Sequence, residues 1–417
     1  MSAEASTSDR SASAGSADTA RQRRTIGFLN LAHGLDHFVM LIFPMVVIEL
    51  QVFYGRSYSE LIVFGTASFI AFGLFSLPAG WLADRWSRRT MMVLFYIGCG
   101  LSLLAAALAP SLYALAAALF MLGVFASIYH PVGTALILEN ATQRGRTLAF
   151  NGVCGNLGIS LAAAITAALT AAFSWRGAFL VPGIVCIVTG LAYLRFVPGE
   201  ARHATLRSAA PDVVLSAYAA FAIFGLFVVV ALCAGLVFNT ISIALPKIVD
   251  ERAGGGISLV VVGGLTTAVF LCGAVAQMAV GRIVEHVRLH VLFAVLAVAQ
   301  FASVVWAAYA TGKMLLVALA CVMTTIYGQI TVNDLVIARY TADAWRGRVY
   351  AVRYFLTFMV SGVAVSMIGL LYGRGGFDLI LGMTAVIALG FLIAVLGIAY
   401  IANGVERARV LQPVPAE

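Results

Sequence analysis

The chain has 417 residues, of which 62% are hydrophobic and 11% are charged, and its mean hydropathy is +1.00. This composition excludes a soluble globular protein, since soluble domains carry about 25% charged residues. The six cysteines occur singly in apolar stretches without a C-x-x-C pair, which argues against a disulfide framework and against a cysteine metal knuckle.

Apolar stretches follow one another along the chain from residue 26 onward. A helix needs about 20 residues to cross the hydrocarbon core of a bilayer. Twelve stretches fit this length and are numbered here as spans one to twelve: 26–50, 59–83, 91–109, 113–139, 147–172, 177–197, 216–247, 257–284, 290–311, 314–340, 348–372 and 377–402. The sequence therefore predicts an all-α integral membrane protein with twelve transmembrane helices.

Polar segments divide the chain into domains. Residues 1–24 are rich in Ser, Ala, Thr and Asp and lack the apolar core of a signal peptide, so we expect a disordered tail. A polar loop at 198–215 separates a first six-helix half, 25–197, from a second half, 216–403. Residues 404–417 form a second predicted tail.

Short motifs of the first half recur in the second half at nearly one offset. Pro44 recurs as Pro246, and the Arg-Gly-Arg triplet at 144–146 recurs at 346–348. Two weaker echoes pair Gly80-x-x-x-Asp84 with Gly281-x-x-x-Glu285 and pair 175–179 with 373–377. Paired apolar halves are the usual construction of secondary transporters, so the sequence predicts two pseudo-symmetric halves.

The cations lie mainly on one side of this topology. Eighteen arginines fall at one side, against six cations at the other: Arg56, Arg176, Lys247, Arg252, Lys313 and Arg374. The positive-inside rule then places both termini and the 198–215 loop in the cytoplasm of a bacterium, with a multi-pass protein in its inner membrane. This asymmetry also accounts for the net charge of +8. No nucleic-acid partner is predicted.

Span one carries the richest set of polar residues. Asn30, His33 and His37 recur at helical spacing on one face, and Asp36 lies at i+3 from His33. Asp36 is about ten residues into the helix, or roughly 15 Å deep, near the bilayer midplane. Such a carboxylate beside imidazoles can take up and release a proton, so Asp36, His33 and His37 are predicted to couple transport to protons. The alternative is that these groups only hydrogen-bond neighbouring helices.

Other spans carry polar residues at similar depth. Tyr129-His130-Pro131 interrupts span four, and the related stretch of span ten contains Gln329, Asn333 and Asp334. Because burying polar groups in lipid is costly, we expect them to line a central cavity. The predicted cavity residues are Asn30, Tyr129, His130, Asn156, Asn239, Gln277, Gln329, Asn333, Asp334 and Arg353. Asp334 has a second interpretation, an ion pair with Arg339 or Arg353. Lys247 is expected to extend to the headgroups.

Residues 80–89, between spans two and three, read Gly-Trp-Leu-Ala-Asp-Arg-Trp-Ser-Arg-Arg. This stretch resembles the signature loop of the major facilitator superfamily, and with the twelve spans, two halves and central loop the resemblance covers about 25–403. It implies a gating motif made of Gly80, Asp84, Arg85, Arg88 and Arg89. The glycine would let spans two and eleven approach, and Asp84 would face Arg88 and the end of span eleven. Ser87 departs from the glycine that is usual there.

Span one, with His33 and Asp36 followed by Phe43-Pro44, resembles bacterial drug-efflux carriers of the fosmidomycin-resistance type. The resemblance implies that the span-one acid couples transport to protons. In other respects the chain departs from exporters: span four lacks their common arginine, and span five only partly echoes an antiporter motif.

The sequence predicts a secondary active transporter that moves a small solute by alternating access, with proton antiport and hence efflux. Alternatives are a proton-coupled importer, an uncoupled facilitator, and a transition-metal transporter that uses His33, Asp36 and His37 as ligands. A membrane-embedded receptor or enzyme is a further class. No cofactor, enzymatic activity or ATP use is predicted, since there is no G-x-x-x-x-G-K-[ST] loop. The predicted partners are a small-molecule substrate, protons and the lipid bilayer, and the chain is expected to be monomeric.

Overall fold

In the computed structural model the chain is helical throughout the described residues, 2–199, 217–341 and 343–411. Most of the predicted 198–215 loop and residues 412–417 of the second tail lie outside them. The helices cover Ser2–Met40, Ile42–Tyr54, Tyr58–Ile62, Thr66–Leu74, Ser76–Arg85, Arg88–Ala107, Leu112–Ala126, Tyr129–Asn140, Arg144–Phe196, Ala217–Arg252, Leu259–Ile283, Leu289–Tyr309, Gly312–Tyr340 and Asp343–Leu411, with a 3-10 turn at Val63–Gly65.

Ten helical stretches among the described residues are long and apolar enough to cross a membrane. Two of them are double, because a 53-residue helix such as Arg144–Phe196 would extend about 80 Å, far beyond a hydrocarbon core of about 30 Å. Arg144–Phe196 is broken at Ser174 (φ 71°), and Asp343–Leu411 is broken at Gly375 and Gly376. Within the described residues the chain therefore makes twelve crossings, and the predicted all-α fold of twelve transmembrane helices is confirmed.

The first helix begins at Ser2, so the structure continues span one through 2–24, where the sequence predicts a disordered tail. Extending an existing helix has no nucleation cost. An Ala- and Ser-rich segment can therefore continue the helix of span one towards the N-terminus.

Spans one, two and four are each divided into shorter helical segments. The preceding segments end at Met40, Leu74 and Ala126, about one turn before Pro44, Pro78 and Pro131. Proline has no N–H and its ring clashes with the carbonyl group four residues earlier, which explains the position of each break. The bend that Pro131 predicts in span four is confirmed, and it sets the direction of the Tyr129–Asn140 segment.

The two halves pack through spans five and eight. The Ala164 N–H donates to Thr267 Oγ1 at 3.2 Å, and a Cβ added at Gly263 would meet the Ala163 carbonyl at 2.7 Å. A small cavity beside this contact is lined by both members of the first repeated pair, Pro44 and Pro246. The related prolines thus face one space between the halves, as two pseudo-symmetric units require.

Spans two and eleven form the other contact between the halves, here called the seam. Its contacts join Tyr58 to Tyr372 (ring centroids 5.0 Å), Thr66 to Ser366 (3.4 Å between hydroxyl oxygens), Phe69 O to Ser361 Oγ (3.3 Å), and Phe72 to Phe358 (centroids 4.8 Å). A Cβ at Gly73 would lie 2.8 Å from the Met359 nitrogen, so the two backbones touch at the inner end of the seam.

Gly73 is thus a glycine of span two that meets span eleven in this structure. Gly80 faces span four, where a Cβ would lie 3.2 Å from Pro131 Cβ. The approach of Gly80 to span eleven, which the resemblance implies, stays a prediction.

The side of the membrane that carries Arg85, Arg88 and Arg89 is called here the arginine-rich side, and the other is the opposite side. At the opposite side, the expectation that Lys247 extends to the headgroups is wrong. Its ammonium is buried and pairs with Asp250 at 2.7 Å and Glu251 at 3.3 Å. Two acids within one turn of the lysine stabilise its charge within the protein.

Candidate functional site

Asp36 is the most deeply buried acid of the site. Its side chain is 0% exposed, and its Oδ2 lies 3.4 Å from His130 Nε2 of span four. Among the described residues, neither carboxylate oxygen has a hydrogen-bond partner. The structure thus places an acid of span one beside the His130 imidazole of span four. A buried carboxylate without hydrogen bonds is costly when charged, so this pair is suited to hold a proton.

His33, Asp36, His37 and His130 form one group, called here the histidine–aspartate cluster. The imidazole centroids lie 5.0 Å apart for His33 and His37, 5.4 Å for His33 and His130, and 5.3 Å for His37 and His130. The structure thus brings together the three residues predicted for proton coupling and adds His130, which was predicted for the substrate cavity. The bend before Tyr129 in span four gives His130 this position.

Asn151 of span five supports the cluster through four hydrogen bonds. His33 Nδ1 donates to its carbonyl oxygen at 2.8 Å, Tyr129 OH donates to its Oδ1 at 3.0 Å, and its Nδ2 donates to Asn30 Oδ1 at 3.0 Å and to the Leu29 carbonyl oxygen at 3.3 Å. The Tyr129 ring also stacks on His33 at 4.9 Å. Asn151 was not among the predicted site residues, although an asparagine at the fifth residue of span five is a usable signal.

Gly155, one turn further along span five, leaves room for the His33 ring. A Cβ at this position would lie 2.6 Å from His33 Nε2, so no larger residue fits without moving the imidazole. With Nδ1 bonded to Asn151 and Nε2 against Gly155, the ring is fixed on both edges.

The same geometry bears on the metal alternative. One nitrogen each of His33, His37 and His130 lie within 4.8 Å of one another. Nitrogens bound at about 2.0–2.1 Å around a tetrahedral zinc ion are only about 3.4 Å apart. The rings would therefore have to move closer together to share one ion, and the transition-metal alternative stays a prediction.

Two phenylalanines cover the exposed edge of the cluster. The Phe358 ring of span eleven lies 4.8 Å from the His130 ring, and the Phe72 ring of span two lies 6.0 Å from it. Since Phe72 also contacts Phe358, three rings from three spans meet at the inner end of the seam. Neither phenylalanine was predicted for the site, because nothing local separates them from the other aromatic residues of the chain.

The remaining predicted cavity residues make separate contacts. Asp334 forms an ion pair with Arg353, which confirms its second interpretation. Asn239 Nδ2 donates to the carbonyl oxygens of Gly235 at 2.8 Å and Thr357 at 3.4 Å. Asn156 hydrogen-bonds Gln277 across the two halves, Gln329 Nε2 donates to the Leu296 carbonyl at 3.3 Å, and Asn333 is buried. None of these residues lines the cavity between Pro44 and Pro246. A shared cavity stays a prediction.

The loop motif ties spans two, three and four together. Arg88 donates to Asp84 at 2.7 Å and also pairs with Glu139 at the end of span four. Glu139 was not predicted. The Arg85 guanidinium lies 4.1 Å from the Trp81 ring centroid. Arg89 donates to the carbonyl oxygens of Val197 at 2.6 Å and Leu194 at 2.5 Å, which adds span six.

Solved structures with this fold include a bacterial homologue of the human lysosomal transporter Spinster, in an occupied and an unoccupied inward-facing conformation. The occupied form aligns with a TM-score of 0.69 over 94% of this chain and 99% of that chain at 13% identity, and the unoccupied form with 0.66. At this identity the likeness concerns the fold.

Curated relatives are transporters. The chain is 29% identical over 145 residues to a 4-hydroxybenzoate transporter of Pseudomonas aeruginosa, covering 34% of this chain and 32% of that protein. It is 27% identical over 269 residues to a probable 4-methylmuconolactone transporter of Cupriavidus pinatubonensis, covering 62% of each. The matched stretches thus span less than two thirds of these relatives. The resemblance to fosmidomycin-resistance carriers stays a prediction.

The family model of the Major Facilitator Superfamily matches residues 27–364, which is most of the chain. The match includes the histidine–aspartate cluster, the loop motif and the Asp334–Arg353 pair. The chain therefore belongs to the Major Facilitator Superfamily.

Proposed function

We propose that the protein carries a small carboxylic acid across the membrane by proton symport, with Asp36 as the proton-binding residue. The observation that carries the proposal is the Asp36 carboxylate, which is fully buried, has no hydrogen bond and lies 3.4 Å from His130 Nε2. A proton on this pair removes the cost of a buried charge, so the cluster has a physical reason to take up a proton in one conformation and release it in another.

The substrate class is supported by two features. The relatives are named as transporters of 4-hydroxybenzoate and 4-methylmuconolactone, which are small ring compounds bearing oxygen atoms. In this chain Arg353 lies within span eleven and is held by Asp334 of span ten. A guanidinium paired with one carboxylate can exchange it for the carboxylate of a substrate, because the two partners have the same geometry and charge.

The direction of transport follows the relatives in this proposal. Uptake by proton symport replaces the efflux that the sequence alone favoured, because the two relatives described above are named for the transport of 4-hydroxybenzoate and 4-methylmuconolactone rather than for drug efflux. The arginine-rich side is assigned to the cytoplasm of a bacterial inner membrane, since cations accumulate there. A monomer is the proposed unit.

The test uses the purified full-length protein in liposomes with labelled 4-hydroxybenzoate outside and an imposed pH gradient of either sign. Accumulation is expected when the outside is acidic, and it should vanish with a protonophore. Unlabelled 4-hydroxybenzamide, which has the same shape without the charge, should compete poorly. Asp36→Asn should still exchange labelled substrate across the membrane but should not accumulate it. Asp378→Asn, at an exposed surface acid, is the matched control.

Three results would contradict the proposal. Accumulation by the Asp36→Asn protein would remove Asp36 from coupling. Accumulation only when the inside is acidic would restore antiport and efflux. Equal competition by the amide would exclude a carboxylate as the recognised group.

A further inference from the structure

The seam closes one of the two routes to the histidine–aspartate cluster. It begins at the opposite side, where Tyr58 is fully buried against Tyr372. From there the contacts recur about every turn of both helices and end at Phe72 and Phe358. Spans two and eleven belong to different halves, so this row of contacts must separate whenever the halves move apart at the opposite side.

The innermost contact of the seam is also the contact that covers the cluster. The Phe358 ring packs on the His130 ring at 4.8 Å and on Phe72 at the same distance. The position of Phe358 is fixed by its backbone, because a Cβ at Gly73 would lie 2.8 Å from the Phe358 carbonyl carbon. Phe358 therefore cannot shift along His130 without moving span eleven away from span two.

Within the cluster, the residue in contact with Phe358 is more exposed than the carboxylate. The His130 side chain is 16% exposed, whereas the Asp36 side chain behind it is 0% exposed. His130 thus lies between Asp36 and the seam, and a ring placed on His130 closes the way to the carboxylate from that direction.

We infer that Phe358 is the lid of the proton site: its ring keeps protons on the opposite side from reaching Asp36 until span eleven leaves span two. This rests on the proposed role of Asp36 in proton coupling. Separation of spans two and eleven would then open the protein to the opposite side and uncover His130 at the same time. Proton exchange at that side is tied to the movement of the second half, although every member of the cluster belongs to the first.

The experiment measures protons and needs no substrate. The full-length protein is placed in liposomes that contain a pH-sensitive dye, with potassium and valinomycin to balance the charge, and a pH step is applied. The wild type should pass protons slowly. Phe358→Ala removes two ring contacts from the seam and uncovers His130, and it should raise the proton flux about tenfold or more.

Four further variants separate the lid from general loosening of the fold. Phe358→Leu keeps an apolar group over His130 and should leak much less than Phe358→Ala. Phe391→Ala removes a buried ring of the same half that packs on Phe293, and it should leave the flux unchanged. Asp36→Asn combined with Phe358→Ala should abolish the extra flux. Thr66→Cys with Ser366→Cys is added to Phe358→Ala in a background without the six native cysteines. Oxidation of this cysteine pair should stop the extra proton flux.

The inference fails if Phe358→Ala, shown to be folded by its thermal unfolding and by size-exclusion chromatography, leaks no faster than the wild type. It also fails if the flux persists in the double variant with Asp36→Asn, because the protons would then bypass the cluster. The proposed function has its own separate readout, since accumulation by Asp36→Asn alone overturns that proposal whatever Phe358 does.

Discussion

Asp36 and His130 lie 3.4 Å apart at the bend of span four, although one belongs to the first span and the other to the fourth. Every other ring of the cluster packs around this pair. The arrangement gives the carboxylate an imidazole neighbour on another span, and it leads to predictions about the cluster.

His130→Gln should weaken coupling without abolishing it. Glutamine keeps a polar group near Asp36 but has no proton-accepting nitrogen, so the pair loses one of its two proton-binding groups. We expect the dependence of accumulation on pH to become less steep than in the wild type. Transport assays at a series of pH values check this. An unchanged pH profile would assign His130 a packing role only.

Gly155→Ala should displace His33. The added methyl group would overlap His33 Nε2, and overpacking of this kind costs about 1–3 kcal/mol. Gly152→Ala on the same helix is the matched control, because nothing lies within 4 Å of its Cβ, and alanine in a helix is favoured over glycine by up to about 1 kcal/mol. Thermal unfolding should therefore separate the two variants in opposite directions. If both stabilise the protein, the His33 ring is not confined by span five.

Glu139→Gln should disturb the loop motif more than Asp84→Asn. Both acids pair with Arg88, but the Asp84 side chain is 67% exposed and that of Glu139 is 30% exposed. Exposed ion pairs contribute about 0–1 kcal/mol, so the loss of Asp84 should shift the conformational balance little. Distances between spin labels on the arginine-rich ends of spans two and eleven measure that balance. A larger change for Asp84→Asn would mean that Asp84 also acts on span eleven.

Cysteines at positions 130 and 334 test whether the two halves share one cavity. In a background without native cysteines, a small polar thiol reagent should label both positions from at least one side. Substrate should slow both reactions if a site between the halves is occupied. Protection at one position alone would place the site within a single half, and inertness at both would mean that these residues only pack between helices.

The sequence predicts the architecture well because its signals are local. Each signal determines structure within a few residues of itself. Examples are the length of an apolar stretch, the prolines of spans one, two and four, and the acid in span one. The pairing of Asp36 with His130, the bonds of Asn151 and the cover by Phe358 depend instead on which spans are neighbours, and no local pattern encodes that. Lys247 shows the same limit, since its acids lie within one turn but their effect depends on burial.

Gly80 and Gly73 illustrate a second limit of sequence analysis. Both lie on span two, and the loop motif draws attention to the first because of the residues around it. The break before Pro78 changes the direction of the helix between them, so the glycine nearer the middle of the membrane meets span eleven. A sequence pattern gives the position of a glycine along a helix, but the neighbour that it meets depends on the bend.

The prolines also make the two halves mechanically unequal. Three spans of the first half are divided into segments, whereas Pro246 of the second half lies inside the continuous helix Ala217–Arg252. A divided helix can flex at its break while a continuous one tilts as a rod. The two halves are related in sequence, yet we expect the first half to bend around the histidine–aspartate cluster and the second half to tilt as a rigid unit.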